Sequence, residues 1–302
     1  MKSLQSINLK KNNYKIFLFH GVIKKNRYMV RNYTNKHLLE NKFLSYLKNI
    51  KKNFNILSLK KIIFRIENNQ NLPRNSCAIT FDDGFENNYS VAAPILDELK
   101  IPTTFFFSSD FIENNNMSWI DKIELCFEKK KNFTLKLPWF KKKIDIKNKK
   151  TKLKILHSIR ANVKNNFLYK ENEIVNSIYK QCKQKTVNYS NSDIDKKINW
   201  HQVKKMSQHY LFDIGGHSHH HISFGSLTKR KIVYEIDKSF ELFKKRLGII
   251  LEYYSYPEGQ KNDFNQFVIN KLRDKKIKFC PTAIDGINNK KTDFFKLRRT
   301  ML

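Results

Sequence analysis

Two adjacent carboxylates, Asp82 and Asp83, close an apolar run, Cys77-Ala78-Ile79-Thr80-Phe81, and are followed by Gly84. The run reads as a buried strand. Neighbours on a straight strand point to opposite faces, but a glycine next in line lets the backbone bend so that both carboxylates face one cavity. Two like charges so close do not both ionise freely without a cation or a proton between them. Asp-Asp-Gly is also good turn chemistry, and alone it would be read as a turn. A second stretch, Gly215-Gly216-His217-Ser218-His219-His220-His221, follows apolar Leu211, Phe212 and Ile214. His217 and His221 are spaced i, i+4, which one turn of helix would place on one face. Two imidazoles and a carboxylate make a zinc-type site with a position left for water. A His-rich tract can equally be a solvated loop or an adventitious metal binder. Here it follows a short hydrophobic strand, as the Asp pair does.

Taken together, Thr80 to Gly84 and His217-Ser218-x-x-His221 resemble the first two motifs of the polysaccharide deacetylase family (carbohydrate esterase family 4, of the nodulation-type chitooligosaccharide deacetylase homology). Tyr254-Ser255-Tyr256-Pro257-Glu258-Gly259 is similar to the third motif in its Tyr-Pro-x-Gly form. The resemblance runs from about Lys15 to the C-terminus, with a divergent middle. It implies a metal-dependent hydrolase that removes an acetyl group from an N-acetylated sugar in surface-glycan metabolism. Asp82 would be the general base, and Asp83, His217 and His221 would hold one divalent metal ion. Zinc is the first expectation, with cobalt, nickel, iron and manganese suiting the same ligands. The metal would polarise the acetyl carbonyl and acidify water, whose proton Asp82 would take. The backbone N–H of Glu258 would hold the oxyanion, and Tyr256 and Pro257 would shape the acetyl pocket. Ser218 would support the ligands by hydrogen bonding, and His219 and His220 are expected to be solvated neighbours.

Three positions depart from the family pattern. Ser255 stands where many relatives carry an Arg that pairs with the base. Glu258 replaces an aromatic residue after the proline. Leu297-Arg298-Arg299 replaces a C-terminal Leu-x-His whose His protonates the leaving amine. Arginine cannot give up a proton near neutral pH. Arg299 is therefore expected to orient Asp82 or bind substrate, and the general acid is unassigned. His20, at the end of the first strand, is a candidate for that task or for substrate contact; a metal-bound water is another.

The chain of 302 residues can bury one sizeable core. Its net charge of +32 invites a nucleic-acid or anionic-membrane partner. The Lys and Asn residues are scattered, however, and no recognisable nucleic-acid motif accompanies them. Solvated faces are the preferred reading, with attraction to a phosphate-bearing sugar donor or peripheral association with an anionic membrane as a secondary effect. The competing function classes are a catalytically inactive carbohydrate-binding relative and a basic nucleic-acid-binding protein. Cys77, Cys126, Cys182 and Cys280 are far apart, and Cys77 and Cys280 read as buried small hydrophobes. No apolar run approaches the roughly 20 residues of a membrane span, and the polar N-terminus lacks a leader-like apolar core. These features lead to an expected cytoplasmic location.

Strands are expected at Lys15–Phe19, Cys77–Phe81, Thr103–Phe107, Leu211–Ile214, Leu251–Tyr256 and Ile277–Cys280. They alternate with helices near Leu39–Ile50, Leu59–Ile66, Tyr89–Leu99, Trp200–His209, Lys229–Leu247 and Phe264–Lys275. The alternation predicts a parallel α/β domain with its site at the carboxyl ends of the strands. The family resemblance implies a distorted (β/α) barrel of fewer than eight units over residues 15–302. Ile112 to Asn199 reads as a mostly helical insertion, too long for a plain loop. It is expected to carry a hairpin across Pro138-Trp139 and helices at Leu153–Val163 and Glu173–Cys182, and to act as a lid or substrate-binding subdomain.

Overall fold

The computed structural model describes residues 8–302; the polar start of the chain lies outside them. Short, mostly apolar runs form Tyr14–Phe19, Ser76–Phe81, Thr103–Phe107 and Phe212–Gly216, and nearly every residue in them is buried. Parallel strands covered on both faces require that composition. They pair in parallel in this order, with Phe17 opposite Ile79, Phe81 opposite Phe105, and Phe105 opposite Ile214. Thr300–Met301 pairs on the other flank of the first strand, with Thr300 opposite Phe17. Single bridges complete the circle: Gly216 to Tyr254, Tyr253 to Phe279, and Pro281 to Leu297. The product is the distorted (β/α) barrel that the family resemblance implied.

The expected strands at Leu251–Tyr256 and Ile277–Cys280 keep only those bridges. Pro257 and Pro281 end the two runs and lack the N–H that would extend a ladder. The glycine pair allows the close approach there. A Cβ on Gly215 would lie 2.9 Å from the Tyr253 carbonyl, and one on Gly216 would lie 2.5 Å from the Tyr254 ring.

The outer helices follow their apolar stripes. Glu40–Asn53 buries Phe43, Leu47 and Ile50, and Leu59–Glu67 starts where the Ser58 hydroxyl accepts from the Lys61 N–H. Lys229–Leu247 buries Ile232, Ile236 and Phe243 and ends at Gly248, whose φ of 70° is the usual glycine helix stop. The helix expected at Tyr89–Leu99 is instead a π-turn, Asn88–Ala92, followed by Ala93–Glu98. Asn88 there is buried and donates to the His20 carbonyl at 2.6 Å, which ties the turn to the first strand's end.

Between the third and fourth strands lie the helices Trp119–Lys129, Lys149–Asn165 and Glu171–Gln181 and an antiparallel hairpin, Phe133–Leu135 with Ile144–Ile146. They share a core of their own, including Phe127, Leu156, Ile159 and Ile178, apart from the main barrel core. Among the described residues, no helix is long and apolar enough to cross a membrane.

Candidate active site

The Asp pair extends beyond its strand. Asp82 still donates its N–H to the Phe19 carbonyl at 3.1 Å. Asp83 then takes a φ of 77° and Gly84 one of 92°. A left-handed Asp is uncommon, and here it turns both carboxylates into one cleft. Their surroundings differ sharply. Arg299 grips Asp82 with two hydrogen bonds, Nη1 to Oδ1 at 2.8 Å and Nη2 to Oδ2 at 2.7 Å. The Ser255 hydroxyl donates to the same carboxylate at 3.3 Å. Burial pushes the Asp82 carboxyl up, but the charge and hydrogen bonds of Arg299, together with His217 and His20, outweigh it and hold the group below the usual carboxylate range. Asp83 Oδ1 is buried and accepts no hydrogen bond. It lies 3.0 Å from His221 Nε2 and 3.6 Å from His217 Nε2.

The expected helical turn between the two histidines does not form. Ser218 and His221 have φ of 62° and 57°, and the segment is an irregular loop. Local hydrogen bonds set its path. The Ser218 N–H donates to the Tyr254 hydroxyl at 2.8 Å, and the His221 N–H donates to the Ser218 hydroxyl at 2.9 Å. His217 Nδ1–H donates to the Ser255 carbonyl at 3.0 Å, which leaves its Nε2 lone pair facing Asp83. His219 and His220 are not simply solvated. Their N–H groups donate to Glu235 at 3.1 and 2.7 Å, His219 Nδ1 meets the Ser109 hydroxyl at 2.9 Å, and His220 Nδ1 meets Glu235 at 2.6 Å. They anchor the loop to the helices on either side.

The third motif is a support as much as a surface. Tyr256 is fully buried, stacks on Phe264 at 4.2 Å and donates its hydroxyl to the Phe295 carbonyl at 3.0 Å. Neither Tyr256 nor buried Pro257 lines the cleft, so the expected direct role in substrate binding is corrected to holding the loop from behind. Glu258 does line it, with a φ of 60°, and its carboxylate accepts a hydrogen bond from Lys164. Arg299 is buried beneath Asp82 and also donates to the Thr282 carbonyl at 2.6 Å. Of the two expected roles, orienting Asp82 is the one this geometry permits; substrate has no access to the guanidinium.

The cleft has a volume of about 580 Å³. His20, Asp82, Asp83, His217, His221 and Glu258 lie on its barrel side, and the insertion contributes Trp119, Arg160 and Lys164. Burial pushes the His20 imidazole down to about 4, against the opposing pull of Asp83 and Asp82. Lys36 also lines the cleft and pairs with Asp121 at 2.6 Å. The motif reading did not identify Lys36, Trp119, Arg160 or Lys164. The i, i+4 spacing of Arg160 and Lys164 shows that they share a helix face, but not what that face meets.

The family profile for polysaccharide deacetylase matches residues 69–278, well over half of the chain. The chain belongs to the polysaccharide deacetylase family. No curated protein sequence matches it. Among solved structures, it is similar to the Streptococcus pyogenes deacetylase PplD in complex with acetate, at 14% identity and a TM-score of 0.62, over 97% of this chain and 93% of that one. It is also similar to IcaB from Ammonifex degensii, at 15% identity and a TM-score of 0.62, over 96% of this chain and 92% of that one. A de-N-acetylase from Aggregatibacter actinomycetemcomitans matches at 16% identity and a TM-score of 0.60, over 95% of this chain and 94% of that one. At these identities the likeness establishes the fold, a polysaccharide-deacetylase-type barrel.

Within that family pattern, two of the three departures compensate for each other. Ser255 stands where an Arg would pair with the base, and Arg299 stands where a C-terminal His would be. Arg299 reaches back from just before the last strand to pair with Asp82, and the Ser255 hydroxyl fits between them, 3.3 Å from Asp82 and 3.5 Å from Arg299. Asp82 has a guanidinium partner, drawn from a different part of the chain.

Proposed function

We propose that this chain is a metal-dependent N-deacetylase of an acetamido sugar used in surface-glycan assembly. The observation that carries the reading is the contrast between neighbouring carboxylates: Asp82 is gripped by Arg299, while Asp83 Oδ1 is buried with no hydrogen-bond donor. A bare buried carboxylate oxygen is costly unless a cation meets it. The donor set of Asp83, His217 and His221, whose ligand atoms lie within 4.8 Å of one another, suits one divalent ion. Zinc is the first choice, and cobalt, nickel, iron and manganese suit the same set. Such an ion, when bound, supplies Lewis-acid polarisation of the acetyl carbonyl and acidifies water.

The chain's own residues account for the rest. Arg299 keeps Asp82 ionised and oriented, ready to accept a proton from the attacking water. Ser255 fixes the His217 ring through its carbonyl and hydroxyl. The backbone N–H of Glu258 is the donor for the oxyanion. The insertion walls the cleft and contributes to substrate choice through Trp119, Arg160 and Lys164. We place the reaction in the cytoplasm on a glycan precursor. Fractionation of the host would overturn that location by finding a processed form outside the cytoplasmic membrane.

An acetate-release screen over free, nucleotide-linked and lipid-linked acetamido sugars, with metal content controlled, tests the activity. Release from at least one class, lost on chelation and restored by added metal, is the expected result. No release across all classes and metals overturns the reading.

A further inference from the structure

Breaking the bond between the acetyl carbonyl carbon and the sugar's nitrogen requires a proton on the leaving nitrogen. The position that supplies it elsewhere in the family is Arg299 here, and arginine does not release its proton. His20 is held neutral by burial, and a cation at Asp83 would disfavour its charged form further. Four other cations line the cleft: Lys36, Arg160, Lys164 and Lys261. Lys36 is paired with the deeply buried Asp121 carboxylate, Arg160 is again a guanidinium, and Lys261 is exposed.

Lys164 differs from all three. It comes from the last turn of the Lys149–Asn165 helix, and its side chain is 24% exposed, so it can exchange protons with solvent. Its ammonium donates to the carboxylate of Glu258, the residue whose backbone N–H serves the oxyanion. We propose that Lys164, held by Glu258, is the general acid that protonates the leaving amine; this rests on the deacetylase reading above. Burial and then Arg160 push its ammonium down to about 7, with Lys36 adding to them, against the upward pull of Asp263 and Asp83. Glu258 pulls upward by direct pairing, and Glu171, from the next helix, faces the same group. An acid matched to the working pH is an efficient donor.

The step balances. Water adds to the carbonyl carbon and gives one proton to Asp82. The C–N bond breaks with its electron pair going to nitrogen, which takes a proton from Lys164. Acetic acid and a free amine leave, and the proton on Asp82 returns through solvent to the neutral Lys164.

The test compares an acetamido sugar with 4-nitrophenyl acetate, whose phenolate leaves without a proton. In Lys164→Met, the ratio of amide to aryl-ester turnover should fall by about 10²-fold or more. Lys164→Arg keeps the charge and the Glu258 pairing but gives no proton, so its ratio should fall as well. Methylamine should restore part of the amide turnover of Lys164→Met. Aryl-ester turnover also reports that each variant has folded. Equal losses on both substrates, or wild-type amide turnover in Lys164→Arg, would overturn the role of Lys164 while metal-dependent turnover by the wild type leaves the deacetylase reading standing. A wild type that hydrolyses neither substrate with any metal sinks both.

Discussion

The barrel end and the insertion line one cleft but are built in opposite ways. On the barrel side, Asp82, Asp83 and His217 come just after strand ends, and short hydrogen bonds to buried groups fix Asp82 and His217. On the insertion side, Trp119, Arg160 and Lys164 come from helices with a separate core. Ion pairs between side chains tie that body to the rest: Lys164 to Glu258, Lys36 to Asp121 and Arg31 to Asp195. Chemistry that tolerates little displacement sits on the rigid scaffold. The insertion's separate core lets its surface vary without moving Asp83, His217 or His221.

The largest expected effect lies on the barrel side. His217→Ala or His221→Ala removes one of the three proposed ligands, and elemental analysis of each purified variant should find most of the metal gone. Full occupancy in both would break the assignment. Next, Asp82→Asn should keep the metal and lower acetate release by about 10²–10⁴-fold. Asp83→Asn should weaken metal binding instead, so that excess metal restores part of its activity and none to Asp82→Asn. The opposite pattern would mean the two roles are reversed.

Arg299→Met tests the link between the last strand and the base. It leaves a buried carboxylate without its partner, which should cost about 3–5 kcal/mol in denaturant unfolding at neutral pH. Arg299 depresses the Asp82 carboxyl, so the pair's stabilisation is present above the unfolded carboxylate value of about 3.9 and is lost as pH falls through the lower folded value. Without the guanidinium the carboxyl rises, and the acid limb of the rate profile should move to higher pH. A limb that stays in place would show that Arg299 does not tune the base. The smallest expected change, Leu156→Ala in the insertion core, should cost about 2–5 kcal/mol through the cavity it leaves. Bound metal should stay at the wild-type level. Loss of metal together with stability would show that the two regions are not separable.

The motif segments were legible because each is local. An apolar strand run followed by Asp-Asp-Gly or Gly-Gly-His places its functional groups at a strand end whatever the rest of the chain does. The i, i+4 histidines are neighbours, as their spacing suggests, but not through a turn of helix. The loop hydrogen bonds to Tyr254 and within the Ser218 turn bring them together without a helix. Helix stripes such as Phe43, Leu47 and Ile50 were equally legible, because the 3.6-residue period is written into spacing. The bridged runs near Tyr253 and Phe279 were overextended as strands, since the crowding at Gly215 and Gly216 is a property of the closed barrel.

The sequence alone therefore determined the parallel α/β class, the Asp pair, the histidine pair and the presence of an inserted helical body. These rest on contacts between residues close in the chain or on a repeating period. Tertiary structure alone decided that Arg299 serves Asp82 across 217 residues, that Tyr256 supports the loop from the core, and that Lys164 meets Glu258 across 94 residues. Contacts between distant parts of a chain leave no local period or spacing. They exist only because barrel closure and burial bring those side chains to one place, where a charge out of water must find its partner.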